Sequence, residues 1–175
     1  TNLDYAYIAV ELGKSPLASE SLNCSAPDTG NMEVLERVGT PEQKKKWLPP
    51  LYRGEKLVCF GLTEPQGGSD PVNMKTVAEK TSNGWVLNGS KVWITNGFAD
   101  VAVVWAQTAD GLRGFLVEKG TKGFSVRHET KWAMRSGTAS TFAIFMVVSF
   151  ELESGTSDTK PGSISAFPVS FDFLS

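Results

Sequence analysis

At 175 residues the chain has room for one ordinary domain, or one domain with a helical appendage. Hydrophobic residues at 41% and charged residues at 21% exclude a disordered or fibrous chain. A net charge of -2 with no basic stripe excludes nucleic acid as the main partner, and no apolar run reaches the ~18 residues of a membrane span.

Residues 1–54 read as helical. Leu3, Ala6, Tyr7 and Val10 follow the spacing of one helix face, and Gly13 then Pro16 end that element. A second helix is predicted around Asn31–Val38, stopping at Gly39. A third starts at Thr40, a candidate N-cap with Pro41 at the first helical position and Gln43 completing a capping box. Its Lys44-Lys45-Lys46 run reads as a solvated face, and Pro49-Pro50 are expected to break it.

From about residue 56 the period changes to that of strands. Lys56–Leu62 is a buried-strand candidate, and Met74–Lys80 alternates as a half-exposed strand does. Trp85–Leu87 and Lys91–Thr95 flank Asn88-Gly89, which predicts a hairpin on a type I′ turn. Val101–Gln107, Gly114–Glu118, Lys122–Val126 and Phe142–Val148 are further strand candidates. The fold class expected is α+β: a short helical segment, then an antiparallel barrel or sandwich over 55–150. Residues 151–175 are polar and turn-rich, then apolar without a period, and read as a poorly ordered tail.

Cys24 and Cys59 form neither a disulfide framework nor a metal pattern, so a reduced, soluble intracellular chain is expected. With His128 as its single histidine, no His-cluster metal site is expected. No signal or transit peptide is visible; the chain opens at Thr1 in mid-pattern, and an upstream portion is expected to be missing.

Two stretches carry candidate chemistry. On Lys91–Thr95, Trp93 and Thr95 are two apart and share a sheet face, with Val92 and Ile94 on the other. An indole beside a hydroxyl suits a planar heteroaromatic ligand, although from this strand alone a core Trp and a generic β-forming Thr is the stronger reading. In GLTEPQGGSD (61–70), Thr63 sits at a strand end, Gly67 and Gly68 let the backbone approach a ligand, and their amides with the Ser69 hydroxyl suit an anionic phosphate. Glu64 and Asp70 count against a simple phosphate cradle, and the glycine pattern is neither Walker nor Rossmann.

Together, GLTEPQGGSD (61–70) and LNGSKVWITNG (87–97) resemble the acyl-CoA dehydrogenase family. The resemblance extends upstream through GTPEQKKKWLPPLYRGE and downstream through RGFLVEKGTKGFSV and KWAMRS, covering about residues 30 to 138. GSDPVNMKT, VVWAQ and KWAMR are similar to glutaryl-CoA dehydrogenases. NCSAPDTGNMEVL is similar instead to the branch acting on longer or branched chains.

The resemblance implies FAD as cofactor and an acyl-CoA as substrate. It places Phe60, Leu62 and Thr63 at the isoalloxazine ring, with Gly68 and Ser69 at the pyrophosphate and Ser69 also near the incoming acyl-CoA. Trp93 would stack beside the flavin, and Thr95 would hydrogen-bond near N5. Arg135 lies in a family motif and reads as structural. The resemblance further implies an electron-transfer flavoprotein as acceptor and a homo-oligomeric parent. The family's base is a glutamate of a C-terminal four-helix domain, which the chain is expected to lack; Glu129, Glu151 and Glu153 do not match it. A divergent stretch after about Ser136 fits a truncated product, an altered reading frame or splice form, or an engineered piece. Two alternatives stay open: a non-catalytic β-domain that associates with a full-length relative through Phe142–Phe150, and an oxidase relative.

Overall fold

The computed structural model describes residues 1–15, 17–22, 26–82, 84–128, 143–146 and 164–166. Cys24, Glu129, Arg135, Glu151 and Glu153 lie outside the described residues, as does most of the 151–175 stretch. Among the described residues four α-helices come first: α1 (Asn2–Leu12), α2 (Ala18–Ser21), α3 (Asp28–Val38) and α4 (Pro41–Tyr52). Nine strands follow among them: β1 (Val58–Gly61), β2 (Val77–Thr81), β3 (Gly84–Asn88), β4 (Lys91–Thr95), β5 (Val101–Thr108), β6 (Gly111–Glu118), β7 (Arg127–His128), β8 (Ala143–Met146) and β9 (Ile164–Ala166).

The start of α4 follows from local chemistry. Thr40 accepts from the Gln43 amide at 3.2 Å, and Gln43 Oε1 accepts from the Thr40 amide at 2.9 Å. Pro49 and Pro50 do not break the helix, contrary to expectation. They stand in its last turn, where only the carbonyls of the exposed Lys45 and Lys46 lose an amide partner. The stop comes from Gly54, at φ +67. Its N–H donates to the Leu51 carbonyl (3.0 Å) and the Glu55 N–H to the Pro50 carbonyl (2.9 Å), a Schellman closure. The apolar stripe of α1 forms as expected, yet Leu3, Tyr7 and Val10 stand exposed among the described residues.

One sheet runs β3-β2-β5-β6-β9 with β1 beside β5, and a second runs β4-β8-β7. Pairing is mostly antiparallel, but β1 and β2 each run parallel to β5, so the sheet is mixed. The apolar run of β5 explains its central place. Val101, Val103 and Trp105 pack under Leu35, Trp47 and Leu51 of the helices. Ala102, Val104 and Ala106 face Leu87, Ile94, Phe115 and Val117 on the other side.

Three further expectations need correction. The β3 strand hairpins with β2, pairing Thr81 with Gly84, and β4 leaves to pair with β8. Asn88-Gly89 is therefore a crossing between sheets and not a type I′ hairpin turn. Gly89 serves a close approach there, because a Cβ would come within 2.7 Å of Thr76 Cα. Second, residues 122–123 form a turn and 124–126 no regular element, so no strand occupies 122–126. Third, the tail contributes β9: Ile164–Ala166 extends the sheet along β6, and Gln43 Nε2 ties it to α4 through Ser165 Oγ (2.9 Å) and the Ala166 carbonyl (3.2 Å). A buried edge supplies the pairing that its irregular sequence pattern conceals.

Candidate functional site

The end of β1 and the start of β4 meet. The Val92 N–H donates to the Thr63 carbonyl at 2.9 Å, so the two singled-out stretches form one wall. Thr63 and Thr95 are half-buried on it and Trp93 is 49% exposed, whereas Phe60 and Leu62, also half-buried, pack toward the helices against Leu35, Trp47, Val103 and Trp105. The Thr63 and Thr95 hydroxyls make no hydrogen bond to one another or to other described residues, and both side chains are half-buried.

The wall is not a regular strand. Between Lys91 and Ile94 the pairing with β8 slips, so that β4 carries one extra residue. The excess is taken up at Trp93, whose φ is +62. A bulky residue there is uncommon and costs free energy, so its neighbours must over-determine it. Val92 and Ile94 remain buried and Trp93 outward, as the two-face reading requires, but Lys91 is buried as well.

The loop between β1 and β2 closes in two stages. Glu64 and Gly67 exchange both backbone hydrogen bonds at 3.1 Å, so the Gly67 amide is spent internally and offers nothing to a phosphate. Gly68 and Ser69 beyond it are exposed, and their amides donate to no carbonyl among the described residues. A Cβ on Gly68 would touch Thr63 Cγ2 at 3.4 Å, so these amides lie beside Thr63.

The second closure runs through side chains that the sequence reading left unassigned. Glu64 turns inward, buried, and its carboxylate meets the Lys91 ammonium at 2.8 Å. It also accepts from the amides of Lys75 (2.6 Å) and Thr76 (2.9 Å), the Thr76 hydroxyl and Gln66 Nε2. Burial pushes the Glu64 carboxyl up, but Lys91, Thr76 and the two amides outweigh it and hold the group at about 2. Burial pulls the Lys91 ammonium below its ordinary value, against the opposing influence of Glu64. Of the two charges that argued against an anion at this loop, that of Glu64 is thus neutralised internally, whereas Asp70 stays exposed and accepts from Asn73 Nδ2. A lysine inside the apolar run KVWI was the signal available for it.

Cys59 is buried in the core, where desolvation raises its thiol to about 12 and leaves it inert. No group of metal-ligating side chains occurs among the described residues, and none of their helices is long and apolar enough to cross a membrane.

Comparison with known proteins fits this arrangement. Residues 59–148 match the model of the acyl-CoA dehydrogenase middle domain, and residues 1–55 that of the N-terminal domain. Acyl-CoA dehydrogenase family member 11 of Gallus gallus is 49% identical over 112 residues, covering 62% of this chain and 14% of the relative. The mitochondrial isovaleryl-CoA dehydrogenase of Oryza sativa subsp. japonica is 40% identical over 131 residues, covering 70% and 32%. A glutaryl-CoA dehydrogenase from Mycobacterium smegmatis, solved in complex with FADH2, superimposes with a TM-score of 0.60 at 43% identity, over 72% of this chain and 34% of that one. The chain therefore spans a third or less of these curated relatives' length, and it belongs to the acyl-CoA dehydrogenase family.

Proposed function

We propose that this chain supplies the flavin-holding wall of an acyl-CoA dehydrogenase, an enzyme that introduces an α,β double bond into an acyl-CoA thioester. The observation that carries the reading is the Val92 to Thr63 hydrogen bond, which joins the stretch holding Thr63 to the strand holding Trp93 and Thr95. Phe60, Leu62 and Trp93 offer apolar and aromatic surface to a ring system. Thr63 and Thr95 offer hydroxyl donors to its polar edge, and the Gly68 and Ser69 amides suit a pyrophosphate. Ser69, exposed at the loop tip, would also meet the acyl-CoA. Bound there, FAD would accept the hydride from the β-carbon; the protein's part is to place and polarise it.

The α-proton requires a base, and Glu64 does not qualify. A carboxyl held at about 2, with its oxygens occupied by Lys91, Gln66, Lys75 and Thr76, has neither the basicity nor a free lone pair for the task. The base belongs to a part of the enzyme other than this wall, as do contacts to an electron-transferring flavoprotein and between subunits. The 175-residue chain should then bind FAD weakly, quenching the flavin fluorescence, and should reduce no dye when given acyl-CoA. Absence of quenching would remove the flavin assignment. Robust dye reduction would show that the chain carries its own base.

A further inference from the structure

The Lys91–Glu64 pair stands apart from the residues assigned to flavin, yet it touches every piece that carries them. Lys91 Nζ donates to the Leu62 carbonyl at 3.1 Å and to Glu64 Oε1 at 2.8 Å, with Met74 Sδ at 3.6 Å. Glu64 in turn takes the amides of Lys75 and Thr76, closing the base of the 65–74 loop onto one carboxylate. Thr76 also lies close against Gly89, which leads into β4: a Cβ there would come within 2.7 Å of Thr76 Cα. One buried ion pair therefore connects Leu62 and Thr63, the Gly68–Ser69 loop and the bulged strand of Trp93 and Thr95.

We infer that Lys91 and Glu64 are positioning residues for the flavin wall, fixing these three pieces against one another. The inference rests on the flavin reading above. Stability alone does not account for the pair. Buried ion pairs are commonly no better than apolar residues of similar volume, and where they serve a purpose it is to select one arrangement. An apolar side chain at 91 would fill the space but leave the Leu62 carbonyl and the Glu64 carboxylate short of a donor. It would also release the anchor immediately before the bulge. Trp93 keeps its left-handed φ only while both flanks are pinned, by Lys91 on one side and by buried Ile94 on the other.

The experiment separates positioning from folding. FAD affinity, the absorbance band of bound flavin and Tm are measured for the wild-type chain, Lys91→Met, the neutral double variant Lys91→Met/Glu64→Gln, and Val117→Ala. Val117 lies in the core of β6 and serves as a destabilised control. The double variant carries no unpaired buried charge, so its Tm should recover most of what Lys91→Met loses. Its FAD affinity should stay about tenfold or more below wild type, the scale usual for groups that orient binding residues, with a shifted flavin band. Val117→Ala should lower Tm while leaving affinity and band unchanged. Affinity that recovers along with Tm in the double variant, or falls equally in Val117→Ala, overturns the inference and leaves the flavin reading standing. A wild-type chain that takes up no FAD removes that reading and the inference together.

Discussion

Two ion pairs of the same 2.8 Å length flank β1, and they behave differently. Lys56–Asp100 precedes the strand with side chains 46% and 33% exposed, whereas Lys91–Glu64 follows it at 0% and 3%. Water screens the first pair and would solvate either partner left alone. The second pair has no such recourse, so its ends need protein donors and acceptors, and the surrounding chain is arranged to provide them. Length says nothing about this difference. Burial decides whether an ion pair decorates a surface or organises a loop.

The largest test of that contrast is Lys91→Met. Removing one partner of a buried pair typically costs about 3–5 kcal/mol. Glu64 keeps the Lys75 and Thr76 amides, the Thr76 hydroxyl and Gln66, so the loss should fall at the low end, about 3 kcal/mol. A denaturant midpoint lowered by that amount at unchanged slope is the expected outcome. An unchanged midpoint would mean that the four remaining donors suffice.

Acid sharpens the comparison next. The Glu64 carboxyl ordinarily titrates near 4.5 and is held at about 2 in the fold. Its folded value is depressed, so its contribution is fully present above about 4.5 and is lost as the pH falls toward about 2. The wild-type chain should therefore lose stability across that window more steeply than Lys91→Met/Glu64→Gln. Thermal melts at stepped pH measure the difference. Parallel curves would show that the surface carboxyls, Asp100 among them, carry the whole acid response.

The same contrast explains what the sequence made legible. The capping box at Thr40–Gln43 reads directly because donors and acceptors three residues apart find each other within one turn. The apolar run of β5 reads directly too, since burial on both faces leaves no polar alternation. Asn88-Gly89 misled because the same dipeptide serves a tight turn or a close crossing, and the choice depends on where Thr76 lies. The site was legible as a set of residue types, Thr63 with Trp93 and Thr95, through their resemblance to a family. What escaped was its support. Lys91 and Glu64 are 27 residues apart, each resembles a surface charge, and only the fold shows that both point inward.

The smallest predicted effect completes the contrast. Lys56→Met removes the partner of Asp100 at the surface, and solvent takes over the role of the ammonium. Asp100 Oδ2 still accepts the Leu57 amide at 3.0 Å, and the Asp100 N–H still donates to the Leu57 carbonyl at 3.1 Å, so the entry to β1 stays fastened. The melt of Lys56→Met should overlay that of the wild type in moderate salt, with any separation confined to low ionic strength. A loss comparable to that of Lys91→Met, or one insensitive to salt, would place Asp100 in a dry site and erase the distinction between the two pairs. The salt series therefore tests the distinction where it is most exposed, because two pairs of identical length should differ in their response to the same screening, the surface pair weakening and the buried one barely changing.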